Sequence, residues 1–185
     1  MSDAGFARLP GPAGTPDDGP ALQRLVREAA AAFSRWGYDA VPVEAISEAA
    51  GVAKGTVYRH FASKNQLFMA AAEWAAADAL RSFVAATEGR QLTEAEAVAV
   101  LSDIVSDGMG LVLEFATRAL QEHPDHALAM RRLVDDLSGE FARCLPGPAD
   151  QAAARGRRLL ETALAEAYRR RLDAALAADD DAAGA

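Results

Sequence analysis

The stretch Ala49-Ala50-Gly51-Val52-Ala53-Lys54-Gly55-Thr56-Val57-Tyr58-Arg59-His60-Phe61-Ala62-Ser63-Lys64 decides how this chain is read. Ala49 and Ala50 close one short helix, and Gly51 supplies a turn. A second short helix follows over residues 53–61. Ser63 then stands where an N-cap belongs, ahead of a long helix. Within the second short helix Val57 and Phe61 lie four apart and face inward with Val52. At 100° per residue the opposite face carries Gly55, Thr56 and Arg59, with Tyr58 and His60 on its flanks. Lys54 and Lys64, the only lysines in the chain, bracket the unit. A compact pair of short helices with positive charge at its edges suits insertion into the major groove of duplex DNA.

Charge is distributed to match. The whole chain has a formal net charge of −8. Residues 20–68, however, carry six basic and four acidic side chains, a net +2. The segment before them is −2 and the remainder −8. A mildly positive module on an acidic body favours one docking orientation on a polyanion.

Upstream, Leu22, Leu25, Val26, Ala29 and Phe33 recur at three- and four-residue steps, which predicts a helix over 21–36 stopped by Gly37. Pro42 suits the first position of the next helix, 43–50, whose inward residues are Val43, Ile46 and Ala50. Lys64 in the first turn of the fourth helix, 64–87, opposes the helix dipole, and a nearby phosphate would explain it. Further helices are expected over 94–106 (capped by Thr93), 111–122, 125–144 and 150–178. The chain is therefore expected to be all-α: an N-terminal three-helix helix–turn–helix domain, then a C-terminal helical bundle. Expected boundaries are a solvated, disordered tail at 1–19, the helix–turn–helix domain at 20–68, the bundle at 69–178 and an acidic disordered end at 179–185.

Residues 22–64 closely resemble the DNA-binding domain of the TetR family of bacterial transcriptional regulators. The resemblance lies in Ala29-Ala30, Phe33, Gly37-Tyr38, Ile46 and Ala49-Ala50-Gly51-Val52. It continues through Lys54-Gly55-Thr56-Val57-Tyr58-Arg59-His60-Phe61 and Ser63-Lys64, and covers about a quarter of the chain. It implies a homodimer that binds a palindromic double-stranded operator, most often as a repressor released by a small-molecule effector held in the body. Carried over residue by residue, Lys54, Thr56, Tyr58, His60 and Lys64 fall where the family meets DNA. Helical geometry adds Gly55 and Arg59.

Chemistry sorts these roles. Arg59 is the side chain on that face able to read guanine with two hydrogen bonds. Thr56 suits a thymine methyl or a phosphate, and Gly55 lets the backbone approach the duplex. Lys54, Tyr58, His60 and Lys64 suit phosphates, which position the protein without specifying sequence. The family usually has Ser or Thr at one or both of the positions held by Val41 and Pro42, and commonly Ser where Ala53 stands. Their loss predicts weaker non-specific binding. It is also the one argument for an alternative, a helical protein-interaction module that has lost sequence-specific DNA binding.

Trp74, Phe83, Met109, Phe115 and Met130 are the candidate lining of an effector pocket, although each singly also suits an ordinary core. The last two long helices are the expected dimer interface. Leu159, Leu160, Ala163, Leu164, Ala167, Leu172 and Leu176 give the final one a long apolar stripe. The arginines of 155–158 and 169–171 alternate with Glu161, Glu166 and Asp173 and read as a salt-bridged surface rather than a second nucleic-acid patch. His123 and His126 lack the further ligand cluster that a metal site needs. No catalytic residue, cofactor motif or metal site is expected, and the chain is not expected to be an enzyme. With no spanning apolar segment, no signal-peptide core and a single cysteine, Cys144, a cytoplasmic, membrane-free protein is expected.

Overall fold

The computed structural model describes residues 19–88, 90, 92–108, 111–112, 115, 124–143 and 145–183; it excludes the side chains at 124–127, 129–130, 149, 175 and 177–183. Among these residues lie seven bounded α-helices and no strand. They are α1 (Gly19–Trp36), α2 (Val43–Ala49), α3 (Lys54–His60), α4 (Lys64–Thr87), α5 (Glu94–Ser106), α6 (Pro124–Arg143) and α7 (Ala152–Ala183). A 3-10 turn, Ala149–Gln151, leads into α7. Leu111, Val112 and Phe115 are also helical; the rest of the helix expected over 111–122 lies outside the described residues.

The amphipathic stripe of α1 buries Leu25, Val26, Ala29, Ala30 and Phe33. Gly37 ends the helix at φ 78°, its N–H donating to the Phe33 carbonyl at 3.0 Å. Gly51 turns the chain between α2 and α3 at φ 66°, a conformation costly for a residue with a Cβ. Val43 and Ile46 of α2, Val57 of α3 and Phe61 just beyond it close over α1 and the first half of α4. Phe33, Tyr38 and Phe68 form an aromatic knot at the centre, with ring centroids 5.1–5.8 Å apart. Leu111 and Phe115 join this first core from the body.

The second half of α4 enters a second core with α5, α6 and α7, built on Phe83, Leu101, Phe141, Leu159 and Ala163. At 24 residues α4 spans about 36 Å and serves both cores. α6 and α7 form an antiparallel pair whose backbones come close at Gly156. A Cβ there would stand 2.7 Å from the Ser138 carbonyl carbon, so only glycine permits the approach.

Several boundaries differ from those expected. α1 begins at Gly19, because Pro20 in a first turn gives up a donor that would be unpaired anyway. Pro42 is the N-cap of α2 rather than its first residue. α7 runs to Ala183, past the expected end at 178: no glycine or proline interrupts the alanine-rich segment before Gly184. The caps at Ser63 and Thr93 form as the sequence predicts, with Ser63 accepting from the Gln66 N–H and Thr93 making a reciprocal capping box with Glu96. Among the described residues no helix is long and apolar enough to cross a membrane.

Candidate nucleic-acid interface and body cavity

α3 presents two unlike sides. Val57 and Phe61 are buried, 1% and 3% exposed, and Val52 packs beside them. Lys54, Gly55, Tyr58 and Arg59 are exposed, while Thr56 and His60 are half-buried. All but one of the DNA-binding candidates thus fall on or around the outer side of one seven-residue helix. Lys64 opens α4 one short turn later. A Cβ at Gly55 would meet no protein atom within 4 Å, so internal packing does not require glycine there.

Both lysines have partners within the domain. Lys54 forms an ion pair with Glu44 of α2, and its ammonium lies 5.8 Å from the Tyr58 ring centroid. The hydrogen bond to Lys54 holds the Glu44 carboxyl below its ordinary range, and the same bond raises the Lys54 pKa. Lys64 sits 4.5 Å over the Tyr38 ring and donates to the Asp39 carbonyl at 3.5 Å. This contact explains a lysine in the first turn of α4 without requiring a phosphate. Sequence reasoning missed Glu44 and Tyr38, which meet the lysines across 10 and 26 positions of chain. Arg59 approaches His60, with 3.4 Å between a guanidinium nitrogen and the ring Nε2. Neither Pro42 nor Ala53 caps its helix with a side-chain hydrogen bond, as expected where hydroxyls are missing.

A cavity of about 1150 Å³ lies between the first core and the body. Its wall includes Trp74, Ile104, Leu111, Val112, Phe115 and Leu133. Of the candidate pocket residues, Trp74 and Phe115 line it. Phe83 does not: it is fully buried in the second core, edge-on to Phe141 at 5.2 Å. Periodicity marks a buried face but does not say whether that face meets a neighbour or a void. Met109 and the side chain of Met130 lie outside the described residues. The cavity also reaches α1 through Arg27, Ser34 and Arg35, a wall that sequence reasoning did not anticipate.

The arginines of α7 form a salt-bridged surface. Arg157 pairs with Asp135, Arg158 with Glu94 at 3.8 Å, Arg169 with Glu166 at 2.7 Å, and Arg170 with Asp103. The hydrogen bond from Arg169, then that from Arg170, keeps Glu166 below the usual carboxylate range. Leu159, Leu160, Ala163 and Ala167 of the apolar stripe are buried within the chain, whereas Tyr168, Leu172 and Leu176 are about half exposed. Among the described residues no group of three or more acidic, His or Cys side chains could hold a metal; His123 and the side chain of His126 lie outside them, as does Cys144.

A buried-and-exposed α3, packed against α2 through a glycine turn and seated on a helical body, forms a helix–turn–helix. Residues 25–71 match the model of the bacterial regulatory proteins of the tetR family, so the helix–turn–helix domain is of that family's type. Solved structures share the fold over most of their length. A transcriptional regulator from Rhodococcus sp. Rha1 is 22% identical at a TM-score of 0.64, covering 84% of this chain and 86% of that one. A TetR-family regulator from Mesorhizobium loti is 19% identical at 0.60, covering 84% and 96%. GusR of Salmonella enterica is 18% identical at 0.56, covering 80% and 82%. No curated protein sequence matches the chain.

Proposed function

We propose that the protein is a homodimeric DNA-binding transcriptional regulator of the bacterial cytoplasm, a repressor that a small-molecule effector releases from a palindromic operator. One observation carries the reading. Val57 of α3 and Phe61 just beyond it are buried while Gly55, Tyr58 and Arg59 turn to solvent, so α3 is fixed from behind and open in front. Arg59 reads guanine, Thr56 adds a contact to a thymine methyl or a phosphate, and Gly55 admits the duplex to the backbone. Lys54, Tyr58, His60 and Lys64 hold phosphates.

Two further features support the dimer and the effector. Tyr168, Leu172 and Leu176 follow one another at four-residue steps on a part of α7 where none of the described side chains after Ala167 is buried. A helix end without tertiary packing is marginal alone, and pairing with a second copy would cover it. The cavity has an apolar wall, which suits an apolar or aromatic effector. Phe115 lines that cavity, is 2% exposed, and lies 6.0 Å from Phe68 in the core that carries α3. An occupant favouring one setting of Phe115 would therefore bias the helix–turn–helix. Only a difference in affinity between the two settings can do so.

The second reading, a protein-interaction module, draws on the uncapped starts of α2 and α3. Binding to genomic DNA fragments as salt is raised separates the two. The regulator should lose affinity with a log–log slope of about −4 to −6, as each dimer releases several counterions. A flat response would favour the interaction module.

A further inference from the structure

The pairing of Glu44 with Lys54 is not explained by folding alone. Both side chains are more than half exposed, at 56% and 54%, and exposed ion pairs add little to stability. Their position is more telling. Lys54 is the first residue of α3, and Glu44 stands in the first turn of α2. In a helix–turn–helix the recognition helix enters the groove while its predecessor crosses the backbone, so this pair stands where phosphates arrive.

We propose that Glu44 is an electrostatic brake on backbone binding, a residue that lowers the affinity of the domain for DNA of any sequence by occupying Lys54. The inference rests on the DNA-binding reading. Two effects act together. Lys54 already has a counter-charge, so it neutralises a phosphate only by giving up Glu44. Once released, the carboxylate remains beside the phosphate and repels it. The brake falls on binding that is all phosphate, because non-specific affinity is almost wholly electrostatic. It falls proportionally less on an operator complex in which Arg59 adds base contacts. The rest of the interface has little charge to spare: residues 20–68 carry only a net +2.

The test uses full-length protein and a fluorescent duplex of arbitrary sequence, titrated by anisotropy over about 50–200 mM salt. Glu44→Gln should bind about three- to tenfold tighter than wild type at the low-salt end, with a log–log slope steeper by about 0.9 per protomer. In a Lys54→Met background the same substitution should gain clearly less than it does with Lys54 present, since only the repulsion by the carboxylate is left to remove. Thermal melts report whether each variant folds. Salt-dependent wild-type binding that Glu44→Gln leaves unchanged or weakens would overturn the brake alone. An equal gain with and without Lys54 would overturn the role of the pair. Absence of salt-dependent binding by both wild type and Glu44→Gln would overturn the DNA-binding reading, and the brake with it.

Discussion

Single side chains here separate function from folding cleanly. Gly55 has no neighbour that a Cβ would strike, so Gly55→Ala should stabilise the domain by about 0.5–1 kcal/mol through helix propensity. If the backbone of α3 approaches DNA, the same change should weaken duplex binding by about tenfold, a loss of about 1.4 kcal/mol. Melting and anisotropy on one variant read both signs; a gain in stability with unchanged binding would remove Gly55 from the interface. Glu73 on α4 gives a pH-dependent case. Burial pushes its carboxyl above the ordinary range. The unfolded chain therefore releases this proton more readily than the folded one, and the residue costs stability increasingly as pH rises through the ordinary carboxylate pKa to the raised one. Glu73→Gln should raise Tm by about 1–3 °C at pH 7, with the difference vanishing below about pH 4. A Tm difference that does not change with pH would show that ionisation of Glu73 is not its source. The outward side of α3 was legible from seven residues, because a helix fixes the angle between them. The partners of Lys54 and Lys64 were not, since they depend on how the Gly37 and Gly51 turns aim neighbouring elements.

At the scale of elements, the sequence predicted most helices to within a few residues because their ends are chemically marked. Ser63 and Thr93 cap, and Gly37 and Gly51 adopt positive φ. The end of α7 carries no such mark before Gly184 and was placed short. Nor did periodicity show where the apolar stripe of α7 divides between its own chain and a free surface, a change that comes after Ala167. The crossing of α6 and α7 depends on one atom's absence. Gly156→Ala would drive a methyl group into the Ser138 carbonyl. Backbone cannot step aside as a flexible side chain would, so the pair must separate, at about 2–3 kcal/mol. Calorimetry should show Tm lowered by about 5–10 °C. A drop of less than a degree would mean that the two helices do not pack this closely.

Across the whole molecule, two apolar cores share α4, and a cavity lies where the body meets α1. Phe115 belongs to both the cavity wall and the first core, which would give the proposed effector a short path through Phe68 and Tyr38 to Lys64. A sequence gives the aromatics but not this adjacency, because Phe115 reaches the first core from 47 positions beyond Phe68. The proposed dimer depends on the far half of α7. Leu172→Glu should yield a folded monomer in sedimentation and lower operator affinity on the order of 100-fold, through loss of the second half-site contact; a variant that remains dimeric would move the interface elsewhere. The central claim is that two copies of α3 read a symmetric site. Selection of bound sequences from a pool of random duplexes tests it most directly. The account predicts enrichment of an inverted repeat whose half-site centres lie about one helical turn, roughly 34–36 Å, apart, and loss of that enrichment with Arg59→Ala. A selected pool with no common sequence, from protein that folds and dimerises, would contradict it.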